Sequence, residues 1–151
     1  VGDSTTTRVR PALASGADCG RDHLIVSQCA HVCQRGVRFG DWLYMRTWHD
    51  GYHLFPPEML FNLRDDPHEQ LDVSSAHPQV CVQALSLLQQ WTDEMMLSME
   101  YEVDPLWTVM NEGGPFHARG HLSQYCEFLK RTERGWAAPV LRRLHPRELA
   151  R

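Results

Sequence analysis

The spacing of apolar residues changes once along this chain, and that change constrains the fold more than any other feature. Before residue 64, apolar and polar positions alternate, as in WLYMRTW, which predicts β-strands. After Pro78, apolar residues recur at steps of three and four, which predicts one long helix whose apolar face holds Cys81, Leu85, Leu88, Trp91, Met95 and Met99. A block of strands followed by a block of helices is typical of α+β proteins. We therefore expect a small antiparallel sheet packed on a long helix.

Three or four antiparallel strands are predicted between residues 23 and 63. The first is HLIVSQ, and the last is EMLFNL. Gly40 and Asp41 separate VRF from WLYM, which predicts a tight hairpin because glycine adopts a positive φ without steric cost. Pro78 suits the first position of the long helix, where its missing N–H is not needed.

Shorter helices are predicted beyond the long one, in LWTVMNE, HLSQYCEFLKR and AAPVLRRL. The segment before residue 23 is rich in Gly, Ser, Thr and Asp and lacks an apolar period. These patterns divide the chain into an irregular lead-in or linker over residues 1–22, a sheet-and-helix subdomain over 23–103, and a helical extension over 104–151.

Composition excludes several classes of protein. A length of 151 residues with 42% hydrophobic residues is enough for one packed domain, or for a piece of a larger protein. A net charge of −4 argues against a nucleic-acid partner. No apolar run reaches the ~20 residues that a membrane span needs. Five cysteines, an odd number, and the absence of a leader pattern favour free thiols and a cytoplasmic location, unless Val1 lies inside a longer chain.

The segment RDDPHEQ between the last strand and the long helix has two interpretations. Asp65, Asp66, His68 and Glu69 are residue types that bind metals or transfer protons. Aspartate before proline also ends a strand, and its side chain accepts backbone N–H groups in turns. Because no calcium-loop spacing surrounds the carboxylates, we predict a turn without a bound metal.

The segment CAHVC is the strongest zinc candidate in the sequence. Cys29, His31 and Cys33 share one face of an extended chain, but alternate residues on that face are ~6.6 Å apart, too far for one tetrahedral ion. A bulge or loop would bring them together, and His49 or His53 would then complete the site. A Cys–His catalytic pair is also conceivable, although no neighbouring residue activates either thiol.

Polar residues beside the strand ends form a candidate anion-binding rim. They are His31, Gln34, Arg35, His49 and His53. Arginine binds oxyanions through two parallel hydrogen bonds, which makes Arg35 the main cation of such a rim. The alternative is that Arg35 and Arg38 pair with Asp41 or Glu58 across the sheet.

The order of these motifs resembles the C-terminal subdomain of sulfatases, in the alkaline-phosphatase-like superfamily. In that family an R-x-x-R-x-G hairpin with two aromatic residues precedes a strand ending in L-x-x-D-P-x-E and a long helix. The matching positions, within a resemblance that covers about residues 10–100, are Arg35, Arg38, Gly40, Trp42, Tyr44, Glu58, Leu60, Phe61, Asn62, Leu63, Asp66, Pro67 and Glu69. Leu71-Asp72 departs slightly from the step that usually follows.

The resemblance implies a sulfuric ester hydrolase whose catalytic site lies in a large α/β domain. That domain carries a formylglycine, made from a Cys or Ser in C/S-x-P/A-x-R, and a calcium ion held by Asp and Asn. No Cys or Ser of this chain has the required neighbours. Asp65-Asp66 belongs to the turn motif and does not correspond to the family's metal-binding pair. The resemblance therefore assigns no catalytic residue, metal ligand or cofactor to this chain.

Two functions follow as expectations. In the first, the chain is the C-terminal portion of a sulfatase, inactive alone, which supports a catalytic domain and the rim of the cleft for a sulfated substrate. In the second, it is a free-standing, non-catalytic binding or interaction module. We also expect apolar surface around Trp42, Trp48 and Phe55 to favour self-association when the large domain is absent.

Overall fold

The computed structural model describes residues 20–98 and 103–149 as an α+β fold. Four strands come first: β1 (His23–Gln28), β2 (Cys33–Phe39), β3 (Trp42–His49) and β4 (Glu58–Asn62). The helices follow: α1 (Pro78–Ser98), α2 (Pro105–Asn111), α3 (Leu122–Arg131), α4 (Ala137–Leu144) and a short 3₁₀ helix (Pro146–Glu148). The predicted fold class is confirmed. The predicted lead-in lies almost wholly outside the described residues, as does Met99.

The strands form one antiparallel sheet in the order β1-β2-β3-β4. The hairpin between β2 and β3 turns at Gly40 and Asp41, as predicted, and Gly40 has a φ of +52°. In such a meander, the β1–β2 loop and the β3–β4 loop lie at the same end of the sheet. The two histidine-bearing loops are therefore neighbours in space.

One face of the sheet packs against α1. Paired positions across the sheet, Ile25, Val37, Tyr44 and Leu60, point to this side. They form a core with the α1 residues Cys81, Ala84 and Leu88 and with other apolar side chains around them. The buried stripe of α1 differs in part from the predicted one: Leu85 and Met95 are exposed, and Ala84 lies in the core. The small side chain of Ala84 allows the helix to lie close to the sheet.

The opposite face of the sheet carries a second apolar row, which we call the open sheet face. Its apolar side chains are Leu24, Val26, Leu43, Met45, Met59 and the buried Phe61, and β2 contributes Gly36 and Arg38 between them. Leu24 and Val26 are 45% and 37% exposed, and Leu43, Met45 and Met59 are half-buried. A sheet that is apolar on both sides normally packs on both sides.

The helical extension has a core of its own. Leu122, Cys126 and Leu129 from α3 pack against Ala138 and Leu141 from α4. Tyr52, from the β3–β4 loop, inserts into this core beside Ala118. The extension is thus attached to the sheet through a loop of the sheet.

RDDPHEQ is a turn, as predicted. Asp66 Oδ2 accepts the backbone N–H groups of Gln70 and Leu71, both at 2.7 Å. Asp65 accepts only a side-chain bond, from Asn62 at 2.7 Å. Asp72 then ties the segment to the sheet by accepting the N–H of Leu60 at 3.0 Å. Asp66 and Asp72 thus accept backbone N–H groups that have no partner on a neighbouring strand.

No helix in the described ranges is both long enough and apolar enough to cross a bilayer.

Candidate functional site

The five predicted rim residues separate into two groups. His31 and His53 are exposed in neighbouring loops, and the ring of His117 lies between them, with ring centres 5.5 Å from His31 and 6.2 Å from His53. Gln34, Arg35 and His49 are buried, with exposed fractions of 4%, 7% and 7%, and are hydrogen-bonded inside the protein. The structure therefore joins two of the five residues and adds a histidine from the extension.

Arg35 is fully engaged by the protein itself. Its guanidinium donates two parallel hydrogen bonds to Asp104, at 2.8 and 2.9 Å, and its Nε donates to Ser27 at 2.9 Å. The indole ring of Trp91 lies 4.7 Å from the guanidinium carbon. The predicted alternative partners of Arg35, Asp41 and Glu58, are thus replaced by a carboxylate from the start of α2.

The CAHVC segment forms the loop between β1 and β2 rather than a continuous strand. Cys33 begins β2, and its thiol is buried beside that of Cys29. Burial and the neighbouring thiol raise the pKa of Cys33 to about 11, which favours the neutral form. Burial also raises the pKa of Cys29. Raised pKa values oppose both thiolate nucleophiles and thiolate ligands.

Asp50 shapes the loop that follows β3. Its two oxygens accept the backbone N–H groups of Tyr52 at 3.0 Å and Leu54 at 2.9 Å. Both residues have left-handed backbones, with φ of 70° and 60°. Residues other than glycine rarely adopt that conformation, which costs conformational free energy. The two hydrogen bonds that Asp50 accepts hold the loop in it.

A group of buried and half-buried side chains joins this loop to the end of the extension. We call it the histidine–carboxylate cluster, and its members are His49, Asp50, Tyr52, His145 and Glu148. His145 places Nε2 at 2.8 Å from Asp50 Oδ1 and Nδ1 at 3.0 Å from Glu148 Oε1. Ionised carboxylates only accept hydrogen bonds, so both ring nitrogens carry protons. His145 is therefore an imidazolium between two carboxylates.

His49 has a different protonation. Its Nδ1 accepts the backbone N–H of Gly51 at 3.0 Å, so the neutral ring carries its proton on Nε2. That Nε2–H donates to Glu148 Oε1 at 3.0 Å. Tyr52 donates its hydroxyl to Glu148 Oε2 or to the Ala118 carbonyl, since both accept at short range. Glu148 is thus the common acceptor of the cluster.

The pKa values follow from these contacts. Burial alone would lower the pKa of His145, but its hydrogen bonds to Asp50 and Glu148 outweigh burial and raise it to about 9. Burial would raise the pKa of Glu148, but hydrogen bonds from His145, His49 and Tyr52 lower it to about 2. The pKa of Asp50 is also lowered, because its hydrogen bonds outweigh burial. At neutral pH the cluster holds one cation and two anions.

A pocket of about 400 Å³ opens in front of the cluster. His49, His145 and Glu148 are among the residues that line it. Its remaining walls come from the end of β3, from α2 and from the loops around α4; the principal side chains are Trp48, Met110, Asn111, Arg119, Leu144 and Arg147. The pocket is lined mainly by the extension.

The cluster resembles a metal centre in composition but not in its hydrogen bonding. Within residues 20–98 and 103–149, His49, His145 and Glu148 form the one group of three whose ligand atoms lie within 4.8 Å of one another. A metal-binding histidine normally donates its second ring nitrogen to a carboxylate or carbonyl, as His145 does toward Asp50. His49 accepts at that nitrogen instead. Metal binding at Nε2 would leave the His49 ring without any proton, so the geometry favours a hydrogen-bonded structural cluster.

The sequence predictions included His49 but missed the other four members of the cluster and also His117. A usable signal was present in HPRE: His145 and Glu148 stand three residues apart after a helix, which places both side chains on one side of a turn. Their contact with Asp50 depends on the path of the whole extension, for which the sequence carries no local signal.

Searches for similar proteins give no further assignment. No protein-family model matches the chain, and no curated protein matches it either.

Proposed function

We propose that this chain is the C-terminal portion of a sulfatase, which supports a separate catalytic domain and contributes loops to the rim of its substrate cleft. The main support is the open sheet face. The resemblance to the sulfatase C-terminal subdomain implies a small four-stranded antiparallel sheet packed on a helix, and the apolar residues on the other side of this sheet suit it to contact with a larger domain.

The open sheet face is suited to packing against a larger domain. Leu24 and Val26 lie on the edge strand β1, and Leu43, Met45, Met59 and Phe61 carry apolar side chains on β3 and β4, whereas the paired positions on β2 between them are Gly36 and the exposed Arg38. The predicted apolar surface around the aromatic residues is smaller than expected: Trp42 packs at the main core, whereas Trp48 and Phe55 remain 37% and 42% exposed. The proposed contact therefore centres on the sheet rather than on the aromatic loop.

The proposed contribution to the cleft comes from the loops that carry His31 and His53. Both side chains are exposed at the same end of the sheet. Arg35 supports this end from inside, through its ion pair with Asp104. The nucleophile and the calcium ligands of the reaction belong to the catalytic domain, and no chemical step is assigned to residues of this chain.

Two experiments test the proposal. The gene product that includes the sequence upstream of Val1 should release sulfate from aryl sulfates, whereas the 151-residue chain alone should not. His53→Ala in the longer protein should raise KM with little change in kcat, because a rim residue contacts substrate without reacting. Turnover by the short chain after removal of contaminating enzymes, or an upstream sequence without C/S-x-P/A-x-R, would contradict the proposal.

The open sheet face is tested on the chain alone. We expect Val26→Glu to reduce self-association and the binding of a hydrophobic dye, because it places a charge in the apolar row. Leu97→Glu is the matched control, since Leu97 is 86% exposed on α1 and lies away from the sheet. Equal effects of the two substitutions in sedimentation would argue against the sheet as the contact surface.

The pocket in front of the histidine–carboxylate cluster favours a second candidate, a free-standing binding module. A pocket of about 400 Å³ is large enough for a small molecule. This candidate predicts a compact monomer at high micromolar concentration without dye binding. Sedimentation of the unmodified chain therefore distinguishes the two functions.

A further inference from the structure

Two thiols face each other where the hairpin of β1 and β2 meets its loop. The last strand pair in the antiparallel register is Gln28 with Gln34, so Cys29 and Cys33 occupy the next opposed positions. We call these two cysteines, both free thiols, the thiol pair. We propose that the thiol pair is a site of oxidation, at which a small-molecule disulfide such as oxidised glutathione converts the two thiols into one disulfide bond.

The thiol pair has the placement that a disulfide requires. Directly opposed residues of antiparallel strands have Cα atoms about 4.5–5.5 Å apart, within the range of about 4.4–6.8 Å that a disulfide spans. Side chains alternate along a strand, so both cysteines belong to the same side of the hairpin as the paired residues Ile25 and Val37. The thiols are close enough for each to shift the pKa of the other.

The register between β1 and β2 is regular up to the thiol pair. The irregularity beside it lies between β2 and β3, where Cys33 pairs with His49 and Gln34 with Thr47, so the extra residue belongs to β3. On the other side, Gln28 donates a side-chain hydrogen bond to Gln34 at 3.4 Å, which aligns the two strand ends. The fold therefore holds the two thiols together before any bond forms between them.

The two thiols differ in access, and this difference sets the order of the reaction. Cys29 is half-buried, whereas Cys33 is fully buried. The Cys29 thiolate attacks one sulfur of oxidised glutathione and releases one glutathione thiolate, which takes up the proton that Cys29 lost. The Cys33 thiolate then attacks the Cys29 sulfur of this mixed disulfide, and the released second glutathione takes up the proton of Cys33. Two protein thiols are oxidised and one small-molecule disulfide is reduced.

The surroundings of the pair favour a stable bond over rapid exchange. Burial raises the pKa of Cys29, and burial together with the neighbouring thiol raises the pKa of Cys33 to about 11. A thiol of high pKa is a poor leaving group, so reduced glutathione breaks the bond slowly. Formation is also slow at neutral pH, because few thiolates are present, and it should accelerate as the pH rises.

The bond would fasten the edge strand β1 to the sheet at the loop that carries His31. The buried cysteines Cys81 and Cys126 lie in two different cores, the first under the sheet and the second in the extension, so neither is placed to compete. The proposal does not depend on sulfatase activity and is tested on the chain itself.

The test uses a peptide that contains the thiol pair and no other cysteine. Trypsin cleaves after Arg21 and Arg35 and releases residues 22–35. The folded chain is equilibrated with oxidised and reduced glutathione, and remaining thiols are alkylated in urea. We expect this peptide to carry no alkyl group and to be lighter by two hydrogen atoms. The equilibrium constant for the bond should be roughly tenfold or more larger in the folded chain than in the urea-unfolded chain.

Variants separate the roles of the cysteines. Cys33→Ala should retain glutathione on Cys29, because the second thiol is absent. Cys81→Ser is the matched control, since its hydroxyl can keep the hydrogen bond that the Cys81 thiol donates to the Ser74 carbonyl. This control should form the bond as the original chain does. Circular dichroism shows whether each variant is folded.

Three outcomes would overturn the proposal. The first is a peptide 22–35 that carries two alkyl groups after oxidation of the folded chain. The second is an equal equilibrium constant in the folded and unfolded chains, because closeness in sequence alone would then explain the bond. The third is loss of the bond in folded Cys81→Ser, which would make Cys81 a participant.

Discussion

Arg35 and Asp104 are 69 residues apart in the chain and are joined by two parallel hydrogen bonds of 2.8 and 2.9 Å. The side chains are only 8% and 13% exposed, so water screens this ion pair weakly. Hydrogen bonds from Arg35 lower the pKa of Asp104 despite its burial. The pair attaches the first helix of the extension to the second strand of the sheet.

We therefore predict that Asp104→Asn destabilises the fold by about 3 kcal/mol, because it leaves the Arg35 charge buried without a counterion. Asparagine preserves the helix cap, in which Asp104 accepts the N–H of Leu106 at 3.0 Å. The change in unfolding free energy thus reports the ion pair. Glu127→Gln removes the exposed pair with Lys130 and should change stability little, because water screens that pair. Equal urea midpoints for the two variants would contradict this prediction.

The histidine–carboxylate cluster predicts a loss of stability in alkaline solution. The pKa of His145 is raised from 6.5 to about 9, so the folded state binds this proton more tightly than the unfolded state. The stabilisation is complete below pH 6.5 and is lost as the pH rises through about 9. Its size is on the order of 3 kcal/mol. Urea unfolding at a series of pH values should show this decline.

His145→Gln provides the control for that pH dependence. Glutamine keeps hydrogen-bonding capacity but does not titrate, so the variant should be less stable at neutral pH and nearly independent of pH between 6.5 and 9. The same decline in the variant and the original chain would mean that another group is responsible.

On the acidic side, the lowered pKa of Glu148 predicts stability that is present above pH 4.5 and lost toward pH 2.

The turn between β4 and α1 predicts unequal roles for two adjacent carboxylates. Asp66→Ala removes the acceptor of two backbone N–H groups and should cost about 1–2 kcal/mol. Asp65→Ala removes one exposed side-chain bond and should cost about 0.5 kcal/mol or less. Thermal unfolding of both variants checks the difference. A similar loss in both, or a stability that depends on added calcium, would argue for a joint metal-binding role.

Gly36 predicts a strong packing constraint on the open sheet face. A Cβ at this position would lie 2.4 Å from Met45 Sδ and 2.6 Å from the Tyr44 carbonyl oxygen. The methionine can move, but the backbone carbonyl belongs to the sheet. Gly36→Ala should therefore destabilise the fold by about 1–3 kcal/mol. Gly135→Ala is the control, since its Cβ would meet no atom closer than 3.4 Å. Equal melting temperatures would show that the sheet accommodates the added carbon.

The strands, helices and main turn of this protein were predictable from sequence because local signals determine them. Alternation marked the strands, Gly40 supplied the left-handed residue of the hairpin, and Asp66-Pro67 marked the turn that follows β4. These features depend on neighbouring residues, whose spacing is visible in the chain. The buried stripe of α1 was only partly predictable, because Leu85 and Ala84 have similar positions in the pattern and the sheet decides which one is covered.

The contacts that define the candidate sites were decided by tertiary structure. Arg35 was predicted at a rim, yet a carboxylate 69 residues away holds it in the interior. His49 was predicted as a rim residue or ligand, yet its meeting with His145 and Glu148 requires the extension to return to the β3–β4 loop. Sequence determines which residue types each segment carries and where each segment turns. Partners distant in the chain are set by how the segments pack, because buried charges and polar groups must find counterparts wherever the fold brings them close.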